Sequence, residues 1–195
     1  AMTWILLAVG LLVLFWAVGA YNRLVRLRNA ITNAFGQIDV QLKRRYDLIP
    51  NLVEVARKYL AHEAQTLEAV IAARNQARSA EQTAAGSPLS AGAIGALAGA
   101  EQVLGGALGR LFAVAEAYPD LKADQTMREL SEELSSTENR IAFARQAYND
   151  HALEFNDAAQ QFPTLVVARL FNFQPQAMLE ATSSEAERAP VKVGF

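Results

Sequence analysis

Met127–Phe162, MRELSEELSSTENRIAFARQAYNDHALEFNDAAQQF, decides the fold class. Met127, Leu130, Leu134, Thr137, Ile141, Ala144, Tyr148, His151, Phe155, Ala158 and Phe162 follow one another by alternating steps of three and four. Ten such steps keep one stripe on a single side of a helix, a heptad seam that a strand with its period of two would scatter over both faces. Asp124 or Thr126 can cap the start, and Pro163 suits the end. The stretch predicts a long helix whose stripe, including Leu134, Ile141 and Tyr148, packs on neighbouring helices or on another copy of the chain.

Beyond it, residues 163–173, PTLVVARLFNF, gather Leu165, Val166, Val167, Leu170, Phe171 and Phe173 around one charge, Arg169. The segment is too short to span a bilayer. It either lies on the bilayer surface as an interfacial helix through Leu165, Val166, Leu170 and Phe171, or is buried against the bundle base or another protomer. After Phe173 the chain turns polar. Gln174–Arg188 has the composition of a segment that stays disordered alone, so a neighbouring copy is expected to order it.

Upstream, Tyr118-Pro119-Asp120 marks a break, since proline removes a donor and the residue before it avoids the α region. The helix ahead of that break is expected to begin near Pro88–Ser90 and carries Ile94, Leu97, Leu104, Leu108, Leu111 and Ala115 on one side. Gly92, Gly95, Gly99, Gly106 and Gly109, with Gln102 in the vacant register, leave another face almost bare. Each glycine costs about 1 kcal/mol in a helix relative to alanine, so the pattern predicts close backbone approach to a neighbour, in a bundle or an oligomer. Gly95 and Gly99, like Gly105 and Gly109, have the GxxxG spacing, but Glu101 and the weak hydrophobicity of Ala and Gly argue against a second membrane span. A flexible Ala/Gly-rich loop is the remaining reading.

Farther upstream, Leu24, Leu27, Ile31, Phe35, Ile38 and Leu42 give a helical stripe to about residue 46. Ile49-Pro50 is expected to interrupt it with a turn or kink at 47–50. Leu52, Val55, Ala56, Tyr59, Leu67, Val70 and Ala77 then define a further helix to about 83, ahead of Gly86-Ser87-Pro88.

The first stripe grows out of WILLAVGLLVLFWAVGA, residues 4–20, in a run whose first charged side chain is Arg23. With its flanks it reaches the roughly 20 apolar residues that cross about 30 Å of hydrocarbon, and in lipid such a segment must be a helix. Trp4, Leu7, Leu11, Phe15, Trp16 and Tyr21 are its anchoring residues, Trp4 and Tyr21 near the two ends where amphipathic rings favour headgroups. Val18-Gly19-Ala20 has the look of a cleavage site, but a basic n-region is missing and the apolar run is long for a secretion signal. A buried soluble helix would not need a run of this length.

Residues 23–45 hold six basic side chains against the one acid Asp39, a net +5, and residues 46–195 hold 12 basic against 19 acidic, a net −7. Positive-inside charge places the body in the cytoplasm and the N-terminus outside, with Arg23, Arg26 and Arg28 close enough to hold anionic headgroups. A basic collar on an acidic body suits a bilayer and argues against nucleic acid.

Chemistry is thin. The chain has no cysteine and two histidines. His62-Glu63-Ala64-Gln65-Thr66 starts like HExxH, but Thr66 stands where the second zinc ligand belongs. His151 lies on the seam as a packing residue, and the glycine-rich stretch lacks the ending of a phosphate-binding loop. No catalytic residue, metal or cofactor is expected.

YNRLVRLRN (21–29), QIDVQLKRRYDLIPNL (37–52), GALGRLFAVAEAYPDLK (106–122), Thr137-Glu138-Asn139-Arg140-Ile141, Tyr148-Asn149 and Phe162-Pro163 resemble the bacterial LemA family. The resemblance implies a single-pass inner-membrane protein: an anchor at 1–22, a bundle of long helices at 23–173 and a tail at 174–195. It implies no established reaction, and it associates such proteins with membrane proteases and envelope maintenance. The sequence thus predicts an all-α chain whose N-terminal transmembrane helix continues into an antiparallel, coiled-coil-like bundle. Its partners would be the bilayer and further copies of itself. An adaptor that recruits a membrane protein such as a protease is the alternative.

Overall fold

Among the described residues, 2–179 of a computed structural model, the chain forms helices and no strand. They are α1 Met2–Arg57, α2 Ala64–Gly86, α3 Ala91–Ala115, α4 Pro119–Ala123, α5 Gln125–Gln160 and α6 Thr164–Leu170. Successive long helices run antiparallel. Tyr46 meets Ala77 between α1 and α2, while Tyr59–Asp124 and Phe35–Tyr148 mark α5 returning along α1. The strongest packing joins α1 to α5 and α2 to α3. Between α1, α3 and α5 a cleft of about 260 Å³ remains.

The seam on α5 faces this core. Met127, Leu134, Thr137, Ile141, Tyr148, Phe155 and Ala158 are buried and Leu130, Ala144 and His151 half-buried, while Phe162, at the end of the pattern, is exposed. Leu134, Ile141 and Tyr148 therefore pack within their own chain. Of the two expected caps, Asp124 serves: its carboxylate accepts the Met127 amide at 2.9 Å. Ser90 does the same for α3, accepting from the Ala93 amide at 3.2 Å.

Pro50 does not interrupt the first helix, contrary to the sequence expectation. A proline there deprives the Tyr46 carbonyl of its usual donor four residues on. Arg74 on α2 replaces it, its Nε–H donating to the Tyr46 carbonyl at 3.0 Å. With that carbonyl satisfied, α1 runs on to Arg57, about 84 Å of helix at 1.5 Å per residue. The turn falls instead at residues 58–63, where Leu60 plugs the core and the Tyr59 hydroxyl donates to Asp124 at 2.8 Å.

The glycines of α3 are also placed otherwise than a tightly packed bundle requires. A Cβ added at Gly95, Gly99, Gly105, Gly106 or Gly109 would meet nothing within 4 Å, and at Gly92 only the Ser90 Oγ at 3.9 Å. Ile94, Leu97, Leu104, Leu108 and Leu111 are buried instead. Burying such a side chain stabilises by about 1.5–3 kcal/mol, so the aliphatic side of α3 takes the core and the glycine side is turned outward. The close approach those glycines permit is not made inside this chain.

The tail begins against its own chain. The Asn156 side chain donates to the Gln176 carbonyl and accepts its amide, at 2.9 and 2.8 Å, and Asn149 does the same for Leu179 at the same distances. The start of the tail, at Gln176 and Leu179, is thus held by α5 of its own chain. The remainder of the expected tail, 180–195, lies outside the described residues.

Candidate functional site

Two places in the bundle gather the chemistry. The first is the end where the apolar run of α1 enters it. Residues 2–16 of α1 project bare: the 18-residue apolar window is 0% buried by the chain, and the helix is long and apolar enough to cross a membrane. Burial starts where the apolar run ends. Ala17 already packs on the core, Ala20 is buried, and Leu24 is fully enclosed.

At that level α6 closes the base. Tyr21 meets Phe171 edge-on at 4.9 Å and Phe173 at 5.5 Å, and the Arg28 guanidinium stands 5.0 Å over the Phe173 ring. Helical spacing divides α6 in two, with Val167 and Ala168 buried and Val166 and Leu170 exposed by 55 and 76%, while Phe162 before it and Phe171 after it are exposed by 82 and 55%. Arg23, Arg26 and Arg169 are exposed around the same end.

The second place is a set of charges sealed between helices. Arg45 on α1 bonds Glu101 on α3 at 3.0 Å and lies 3.6 Å from Glu138 on α5, its own side chain only 9% exposed. The Tyr46 hydroxyl donates to the other oxygen of Glu101. Burial pushes that hydroxyl far above the ordinary tyrosine range and keeps its proton in place. Burial also pushes Glu101 up, against the pull of Arg45 and Tyr46.

Nearly two turns away along α1, Asp39 stands near Glu81 of α2, and Lys43 bonds Asp39 at 2.8 Å. Burial, with the hydrogen bond and charge of Asp39, pushes Glu81 up to about 7. Burial raises Asp39 too, but its hydrogen bonds from Glu81 and Lys43 outweigh this and its net direction is down. Asp39 Oδ1 and Glu81 Oε1 are both buried without a hydrogen-bond partner, which favours the protonated, uncharged form of Glu81. Glu81 is 1% exposed and lies between α1 and α2. Among the described residues no group of three or more His, Cys, Asp or Glu could hold a metal ion.

The predicted site residues therefore separate. Trp4, Leu7, Leu11, Phe15 and Trp16 stand bare on the projecting helix, and Tyr21 joins the base. Arg23 and Arg26 are free at its rim while Arg28 is committed to Phe173. Of the interfacial four, Val166, Leu170 and Phe171 point outward and Leu165 is half-buried. The charge lock went unread because its members lie up to a hundred residues apart. One signal was present: Asp39, Arg45, Tyr46 and Glu138 all lie in the stretches that carried the resemblance.

The LemA family model matches residues 34–195. MamQ of Magnetospirillum gryphiswaldense, named a magnetosome protein, is 28% identical over 169 residues, 79% of this chain and 62% of the relative. MamQ 2 of Paramagnetospirillum magneticum is 28% identical over 172 residues with the same two shares. Protein LemA of Metamycoplasma hominis is 30% identical over 177 residues, 91% of this chain and 75% of the relative. The chain thus spans less than two thirds of the length of the MamQ proteins.

Proposed function

The chain belongs to the LemA family, and on that footing we propose that it is a membrane-anchored, non-enzymatic scaffold that self-associates and organises or shapes the bacterial membrane. One observation carries the reading: α1 is a single helix whose bare apolar end and whose core-packed end have no joint between them. Residues 2–21 cross the hydrocarbon, Arg23 and Arg26 hold headgroups, and the excess of positive charge keeps the bundle on the cytoplasmic side with the N-terminus outside. Because no linker absorbs rotation, the way bundles pack side by side is transmitted directly to the angle of their spans.

Association is assigned to the outward glycine face of α3, where two helices can approach closely. Several anchors held together bind a bilayer far more strongly than one, by effective concentration. That relatives are named magnetosome proteins fits a role in organising a cellular structure.

Particle mass of the full-length chain in detergent, measured for Gly95→Leu and Gly106→Leu, tests this. Both positions are exposed and a Cβ at either would meet nothing within 4 Å in its own bundle, so folding should be retained and the larger species should disappear. An unchanged particle mass refutes self-association through this face.

A further inference from the structure

The projecting span accounts for one membrane contact, and the base of the bundle carries the material for a second. Phe162, Val166, Leu170 and Phe171 lie within ten residues, and among the described residues outside the span no other ten-residue stretch exposes four large apolar side chains. Val166 and Leu170 are one helical turn apart and share a face, while Val167 and Ala168 on the opposite side hold α6 to the bundle. The face is therefore fixed in place and left uncovered by its own chain.

Its position identifies the occupant. Phe171 touches Tyr21, the last apolar residue of the span, so the face sits where α1 leaves the hydrocarbon. Ala17, one turn before Tyr21, already packs on the core. Residues 162–173 contain Arg169 and no acid, and Arg23 and Arg26 stand exposed at the same end, although residues 46–195 as a whole are acidic. An apolar face rimmed by cations, beside a membrane span, matches an anionic lipid surface in both polarity and charge.

We propose that the exposed side of the α6 segment, Val166 and Leu170 on the helix with Phe162 before it and Phe171 after it, lies in the bilayer interface as a second membrane contact beside the α1 span. The proposal rests on the reading of residues 2–21 as the anchor. Two contacts on one rigid body define a fixed tilt and rotation of the bundle against the membrane, which a lone helix does not. That gives a scaffold a defined face to present to its neighbours.

The chain has no cysteine, so single nitroxide labels can be placed without background. Leu14→Cys, Ala61→Cys, Val166→Cys and Leu170→Cys are all at exposed positions and leave the packing intact. Full-length protein is reconstituted into vesicles of mixed phosphatidylcholine and phosphatidylglycerol, and collisions of each label with oxygen and with a water-soluble nickel chelate are measured. Oxygen should dominate at 166 and 170, as at 14 in the span, and nickel at 61 on the far turn. Nickel dominating at 166 and 170 while oxygen dominates at 14 overturns the second contact and leaves the anchor standing. Nickel dominating at 14 as well overturns the anchor itself. Labels at 166 and 170 shielded from both reagents are covered by protein, which also refutes the lipid contact.

Discussion

Arg74→Met should destabilise the bundle through a carbonyl that Arg74 does not own. The Tyr46 carbonyl lies in the interior of α1 on a residue 1% exposed, and Pro50 offers it no N–H. Arg74 Nε is its donor at 3.0 Å. Methionine keeps the unbranched stem and removes that donor, leaving a buried acceptor unpaired at a cost of about 1–3 kcal/mol. For a domain of this size 2 kcal/mol lowers the melting midpoint by about 4–8 °C. Pro50→Ala returns an N–H to the helix, so in that background the same Arg74→Met change should cost below about 1 kcal/mol, its packing and its bond to Asn75 alone. Thermal unfolding of the detergent-solubilised full chain, followed by circular dichroism at the helix band, gives all four corners of the cycle. A coupling of about 1–2 kcal/mol is expected. Additivity within about 0.5 kcal/mol, the level of independent sites, would refute the shared carbonyl as the reason α1 survives its proline.

The other expectations concern the charges and the tail. Glu101→Leu strands the buried Arg45 guanidinium and should cost about 3–5 kcal/mol, whereas Glu138→Ala, at a side chain 47% exposed, should cost about 1 kcal/mol or less; equal losses would mean that α3 is not the partner of Arg45. Glu81 has a folded value of about 7 against an ordinary 4.5, so the folded state binds the extra proton between them and loses stability as pH rises through that interval. Glu81→Gln, which mimics the protonated form, should match the parent near pH 4 and melt higher above pH 7; Asp39 shifts in the other direction and acts only below its ordinary value of 3.8. A melting difference that does not change with pH would show that Glu81 binds no extra proton in the folded state. Asn149→Ala removes both bonds to the Leu179 backbone and should speed hydrogen exchange at the Leu179 amide by about tenfold or more, each bond being worth about 0.5–1.5 kcal/mol. Unchanged exchange there would place the tail elsewhere.

Much of the architecture was legible because it is written in repetition. The stripe from Met127 to Ala158 faces the core as its three-four spacing requires, and Asp124 caps α5. Leu24 through Leu42 continue the first helix inward from its apolar end. The turn at 58–63 was not legible, since Lys58-Tyr59-Leu60-Ala61-His62-Glu63 contains no glycine or proline and is imposed by Leu60 entering the core and Tyr59 reaching Asp124. Pro50 misled for the complementary reason: its local signal is strong, and the donor that overrides it lies on another helix.

What the sequence determined alone is therefore what depends on neighbours in the chain: helical periodicity, an apolar run at 4–20, caps, and the charge step from the arginines to the acidic body. The tertiary structure decided what depends on partners far apart in the chain. It passed α1 through Pro50 by lending it Arg74, locked Arg45 to Glu101, buried Glu81 near Asp39, and turned the glycines of α3 outward because the larger aliphatic side chains on its other face lose more free energy in water. It also brought α6 back to Tyr21 and divided its apolar residues between bundle and surface. Composition could state that Leu170 and Phe171 are apolar, but only the folded chain sets the direction in which they face.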